Sequence, residues 1–151
     1  MKPSLKEQLS ALLSETLSGY ADASRFDVDS SFEIPREEKF GDLSSNLILK
    51  LAKDLKKPPR PLAEEFSVKL KEKLQKSAIA ARIEKIAVEG PGFLNFYYSA
   101  AEIISVVLRI KKEGKEYGKP HPKKKRKILL EFVSANPTGP LTIAHGRQAA
   151  L

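Results

Sequence analysis

Cysteine and tryptophan are absent from this 151-residue sequence, methionine occurs once and histidine twice. Without cysteine there is neither a disulfide framework nor a thiolate metal site. His121 and His145 are too few for a multi-histidine zinc cluster. No apolar run approaches the ~18 residues of a membrane-spanning helix. The opening Met1-Lys2-Pro3-Ser4 lacks the apolar stretch of a secretory leader. A cytoplasmic protein with no bound metal and no membrane contact is therefore expected. What is present is enough apolar residue, 41%, for a core: one medium domain, or a small domain plus part of another.

The formal charge of +8 is unevenly placed. Residues 111–127 hold nine Lys/Arg and two Glu, whereas residues 1–110 carry a net +1 and residues 128–151 are neutral. The run Lys119-Pro120-His121-Pro122-Lys123-Lys124-Lys125-Arg126-Lys127 cannot form an ordinary helix, because two prolines restrict it and like charges repel. It reads as an exposed linker, either a solvated charge run or a tether whose Lys123, Lys124, Lys125 and Arg126 contact phosphates.

Before the linker, helices and strands alternate. Ser4 and Glu7 form a capping-box pattern, and Leu5, Leu9, Leu12, Leu13 and Leu17 recur at helical spacing. Ser31–Pro35 suggests a short strand with Phe32 and Ile34 on one face, followed by a polar turn from Arg36 to Gly41. A second helix is expected over Leu43–Leu55. A third, opened by Pro58, Pro59 and Pro61, carries Leu62, Phe66, Leu70 and Leu74. Ile83–Glu89 and Phe93–Tyr98 read as a hairpin around Gly90-Pro91-Gly92. Ser99 and Glu102 repeat the capping-box pattern before a helix expected to bury Ile103, Ile104, Val107 and Leu108.

The expected fold is α+β, with helices packed on a small sheet over residues 1–112. A basic linker, 113–127, follows. Residues 128–151 read as the first strand and helix start of a Rossmann-type domain, because Ile128–Val133 is apolar enough to be covered on both faces. Without the rest of its sheet, that strand is expected to make residues 120–151 poorly ordered, packed on residues 1–110, or paired with another chain.

Two groups of residues suggest chemistry. Strand alternation puts Phe93, Asn95 and Tyr97 on one face and Leu94, Phe96 and Tyr98 on the other. The second set is more apolar and should face the helices. The first is then exposed: either ordinary surface residues, or a platform that stacks a splayed base and reads its edge. In the second group, Glu131 interrupts an apolar strand, and Asn136-Pro137-Thr138-Gly139-Pro140 turns into a helix whose N-terminus offers free N–H groups to an anion. Glu131 either faces solvent or pairs with a cation, and Asn136 either starts the turn or binds a ligand.

The stretch from Glu131 to Arg147 resembles the first signature of class I aminoacyl-tRNA synthetases. The class pattern His-Ile-Gly-His is matched by Thr142-Ile143-Ala144-His145. The preceding Ser134-Ala135-Asn136-Pro137-Thr138-Gly139-Pro140 is similar to the arginine enzymes in particular. Gly41-Asp42-Leu43-Ser44-Ser45-Asn46 and Pro91-Gly92-Phe93-Leu94-Asn95-Phe96 resemble stretches of their additional N-terminal domain, in the same order.

The resemblance implies an arginine–tRNA ligase. It would activate L-arginine with ATP and Mg²⁺ and transfer the arginyl group to tRNA(Arg), as a monomer at full length and with no bound cofactor. It further implies that Glu131, Ser134 and Asn136 contact arginine and that Phe93 and Asn95, with Tyr97 beside them, contact a D-loop base. Gly139, Pro140, Thr142 and His145 would meet ATP, with His145 and Thr142 at the reacting phosphate. The departures are Thr142, which carries no positive charge where the class has His, and Ala144, which adds a methyl where the class has Gly. Ending at Leu151, the sequence is expected to be an inactive N-terminal piece of such an enzyme. The alternative is a standalone tRNA-binding module without catalysis.

Overall fold

A computed structural model describes residues 3–119, 127, 129, 133 and 139–150, the last span without the side chains of residues 148 and 149. The chain divides into two compact units, Met1–Tyr117 and Gly118–Leu151.

The first unit begins with α1 (Leu5–Leu17). Its capping box is complete: the Glu7 N–H donates to Ser4 Oγ at 3.2 Å, and the Ser4 N–H donates to Glu7 Oε2 at 2.6 Å. The five leucines of the stripe are all buried. Two short 3-10 turns lead to β1 (Phe32–Glu33). Ile34 is not on its inner face but 82% exposed, since the strand ends before it. A further 3-10 turn, Glu38–Phe40, precedes β2 (Leu43–Ser45).

The expected helix over 43–55 is therefore two elements, β2 and α2 (Leu47–Leu55). Leu43 is buried as expected, but in a strand, where it pairs with Phe96 while Ser44 and Ser45 have strand partners on both sides. Lys56 stops α2 in a left-handed conformation, and Pro59 starts α3 (Pro59–Gln75) at a position where its missing N–H costs nothing. Leu62, Phe66, Leu70 and Leu74 are all buried.

The hairpin β3 (Ile83–Glu89) and β4 (Phe93–Tyr98) completes a four-stranded antiparallel sheet in the order β1-β2-β4-β3. Leu43, Ile86, Leu94 and Phe96 join the buried leucines of α1, α2 and α3 in one core. On the same side the Ser31 and Ser45 hydroxyls bond at 2.8 Å, which satisfies two buried polar groups.

Helix α4 (Ala100–Glu113) departs from expectation. Ile103, Ile104, Val107 and Leu108 are 50–61% exposed, not buried. The core face of the sheet is already covered by α1–α3, and α4 is attached at its root. There the Ser99 hydroxyl accepts from the Glu102 N–H and donates to the Ala81 carbonyl. Glu102 does not close the second half of a capping box. Its carboxylate takes a two-pronged bond from Arg82, at 2.6 and 2.7 Å. That pairing holds the Glu102 carboxyl below its ordinary range and raises Arg82.

In the second unit the described helix is α5 (Ile143–Ala150). The strand expected over 128–133 lies mostly outside the described residues; Leu129 and Val133, which are described, are in no strand. Among the described residues no helix is long and apolar enough to cross a membrane.

Candidate functional site

The sheet face opposite the helices carries a cleft of about 350 Å³, at the small end of ligand-sized sites. Its floor is Ser44 of β2 and Phe93 and Asn95 of β4; Glu89, Gly90 and Pro91 of the hairpin turn form one wall. Glu33, Pro35, Arg36, Glu37 and Phe40 line the rest. Sequence alternation thus assigns the correct faces of β4 but the wrong exposure. Asn95, expected at the open surface, is only 2% exposed, because the segment after β1 folds across that face as a roof.

The roof is tied down by main-chain contacts. Gly41 has a φ of +87°, and a Cβ there would lie 2.7 Å from the Phe96 carbonyl oxygen, so only glycine lets the loop approach β4 this closely. The next residue bonds twice to the same strand: the Asp42 N–H donates to the Phe96 carbonyl at 2.9 Å, and the Tyr98 N–H donates to Asp42 Oδ2 at 2.7 Å. Tyr97 adds a third tie, donating its hydroxyl to the Lys39 carbonyl at 2.8 Å. This accounts for Tyr97: expected beside Phe93 and Asn95 as a ligand contact, it instead anchors the roof and is not part of the cleft lining. Burial pushes the neighbouring Tyr98 phenol above its usual range, with Asp42 and Glu102 adding to the effect.

The lining has a chemical bias. Of three carboxylates, Glu37 is paired with Lys39 at 2.7 Å, which leaves Glu33 and Glu89 against one guanidinium, Arg36, while Phe40 and Phe93 supply aromatic rings. Such a lining repels a phosphate and suits a flat, neutral group with hydrogen-bonding edges. At the floor, Ser44 Oγ–H donates to Asn95 Oδ1 at 2.7 Å, a contact set by the β2–β4 register that places the two residues opposite each other. Ser44, Arg36, Glu37 and Phe40 are absent from the expected site residues. The signal for Ser44 is its place in Gly41-Asp42-Leu43-Ser44-Ser45-Asn46, which the helical spacing from Leu43 onward obscures.

The second group is seen in part. Gly139, Pro140 and Leu141 lead into α5, as expected. The Thr142 N–H donates to His145 Nδ1 at 2.9 Å, Thr142 Oγ1 lies 3.0 Å from the same nitrogen, and the Gly146 N–H donates to the Thr142 carbonyl at 3.1 Å. A backbone N–H can only donate, so Nδ1 is the acceptor and the ring proton sits on Nε2. Thr142 and His145 thus close the helix start together. Glu131, Ser134 and Asn136, expected to bind arginine, and the linker residues Lys123, Lys124, Lys125 and Arg126 lie outside the described residues.

Comparison with known proteins matches residues 4–98 to the family described as arginyl tRNA synthetase N terminal domain. A protein of Prosthecochloris aestuarii called arginine–tRNA ligase is 44% identical over 121 residues, covering 80% of this chain and 21% of that protein. One of Janthinobacterium sp., of the same name, is 42% identical over 80% of this chain and 20% of its own length. A third, of Burkholderia orbicola, is 38% identical over 158 aligned positions, covering all of this chain and 26% of its own length. This chain therefore spans about a fifth to a quarter of the relatives it matches. With a family match reaching from Ser4 to Tyr98, the whole helix-and-sheet part before α4, the chain belongs to the arginyl-tRNA synthetase N-terminal domain family.

Proposed function

We infer that this chain is the N-terminal part of an arginine–tRNA ligase, and that its first unit holds an unstacked base of tRNA(Arg). The observation that carries the base-binding reading is the roofed cleft. It brings an aromatic ring, Phe93, and a buried amide, Asn95, to one small site whose carboxylates disfavour phosphate. Stacking on an aromatic ring with an amide at the base edge is how proteins recognise splayed single-stranded bases. Electrostatic attraction to the RNA backbone then falls to the basic run at residues 111–127.

The full-length enzyme would form arginyl-adenylate from L-arginine and ATP and pass the arginyl group to the tRNA. Arginine's guanidinium suits a two-pronged pair with the Glu131 carboxylate, while Ser134 and Asn136 would complete its site. At α5 the free N–H groups of the first turn, together with the Nε2–H of His145, form a donor cluster for ATP phosphates, next to Gly139 and Pro140. Mg²⁺ would enter with ATP as part of the substrate; among the described residues no group of three or more His, Asp or Glu could hold a metal ion. A soluble, monomeric, cytoplasmic enzyme fits this role.

Two experiments test the reading. The 151-residue chain should bind an arginine tRNA transcript, and Phe93→Ala should weaken binding by about 1–3 kcal/mol if the ring stacks on a base. Equal affinity of the variant and the parent would remove the cleft from the account. The full-length gene product should catalyse arginine-dependent ATP–pyrophosphate exchange, and the 151-residue chain alone should not. Tight tRNA binding by a full-length product without exchange activity would favour the standalone binding module.

A further inference from the structure

Asn95 lines the cleft through very little of its surface, so which edge of its amide faces the ligand decides what the cleft can read. Its Oδ1 is engaged by Ser44 Oγ–H at 2.7 Å. That is the length of an O–H···O bond, shorter than the ~2.9 Å usual for N–H···O. Among the described residues Asn95 Nδ2 has no hydrogen-bond partner, yet it is not an enclosed orphan: the one buried side-chain atom there without a partner is Asn46 Oδ1. The amide nitrogen is therefore the edge left open to the cleft, and it can only donate.

An asparagine amide is ambivalent by itself, since turning it over exchanges a donor for an acceptor of nearly the same size. Two features remove the ambivalence here. The Ser44 hydroxyl holds the oxygen at the floor. The carboxylates of Glu33 and Glu89 in the lining would repel a carbonyl oxygen turned toward them and favour the NH₂.

We propose that Ser44 is a positioning residue that fixes the Asn95 amide with Nδ2 outward, so that the cleft engages its occupant at an acceptor, a ring nitrogen or carbonyl, on a base edge. This rests on the cleft being a base site. Ser44 itself need not touch the RNA; it acts through Asn95.

The test uses the 151-residue chain and an arginine tRNA transcript, with affinity measured by fluorescence titration and the Asn95 side-chain NH₂ followed by ¹⁵N NMR. In the parent, that NH₂ signal shifts on binding. Ser44→Ala frees the amide and lowers affinity roughly 5-fold, about the effect of one hydrogen bond, and Ser44→Thr restores it. Asn95→Asp keeps the bond from Ser44 but presents an oxygen where the nitrogen was, and lowers affinity about 10-fold or more. If Ser44→Ala does not fold, Ser44→Thr and Asn95→Asp decide the matter.

Phe93→Ala separates the two levels. If it weakens binding while Ser44→Ala and Asn95→Asp bind like the parent, the base site stands and the role of Ser44 is wrong. If Phe93→Ala also binds like the parent, the base site itself fails and the proposal with it.

Discussion

Replacing Gly41 with alanine should be among the most damaging single-methyl changes in the first unit. Gly41 has φ +87° and ψ −170°, a region essentially reserved for glycine, and forcing an L-residue into it costs roughly 1–3 kcal/mol. The added Cβ would also lie 2.7 Å from the Phe96 carbonyl oxygen and 3.3 Å from its carbon. Those atoms belong to a strand paired on both sides, so they cannot yield without disturbing two ladders; overpacking of this kind costs a further ~1–3 kcal/mol.

The combined loss is about 2–6 kcal/mol, which lowers the Tm of a unit this size by roughly 10–25 °C. Gly114 provides the control. Its φ is +53°, but a Cβ there meets nothing within 4 Å. Gly114→Ala should therefore show only the conformational part, about 1–2 kcal/mol. Urea and thermal unfolding followed by circular dichroism would measure both variants in the 151-residue chain. If Gly41→Ala is no more destabilising than Gly114→Ala, the close approach of the roof to β4 is not what holds the loop.

Other expectations follow from the same description. Glu102→Gln removes the charge from the Arg82 pair and should cost roughly 1–2 kcal/mol at neutral pH. Because folding lowers the Glu102 pKa, this contribution is complete above the ordinary carboxylate value of 4.5 and fades as pH falls through the depressed one. Parent and variant should therefore converge in acid, and a constant gap down to pH 2 would refute the assignment. Ile104→Ser, on the exposed face of α4, should change stability by no more than about 0.5 kcal/mol, whereas Leu70→Ala, fully buried in α3, should cost ~2–5 kcal/mol; a large effect at Ile104 would mean that the face is covered. ¹⁵N NMR of His145 at high pH should show the neutral ring protonated on Nε2, and dominance of the other tautomer would contradict its bond with the Thr142 N–H.

Long periodic stretches were legible in the sequence. The leucines of α1, the stripe of α3 and the hairpin β3–β4 lie where spacing puts them, because each encodes its partner face within a few residues. Three readings depended on what lies far away. Leu43-Ser44-Ser45 has apolar and small residues that continue a helical pattern into α2; it is a strand because β4, some 50 residues later, provides the ladder. The apolar face of α4 looks like a core stripe, but α1–α3 already occupy the sheet surface it would need. Asn95 was placed on the correct face of β4, yet alternation cannot announce a loop folded over that face. The base-stacking reading of Phe93 and Asn95 rests on strand alternation together with the family resemblance, while the hold of Ser44 on Asn95 follows only from register.

The strand order has a consequence for how the chain folds. β4 pairs with β3 across a three-residue turn, a local event, but with β2 across about 50 residues, and the cleft floor, Ser44 against Asn95, belongs to that distant pairing. Closing the long loop is the slower step, because its entropy is lost before any contact compensates. On a ribosome, β2 must wait for β4 to emerge, and the Ser44–Asn95 bond forms only with the last of the sheet. The cleft floor is thus assembled at the end of folding, and a molecule whose cleft is formed is one whose sheet is already complete.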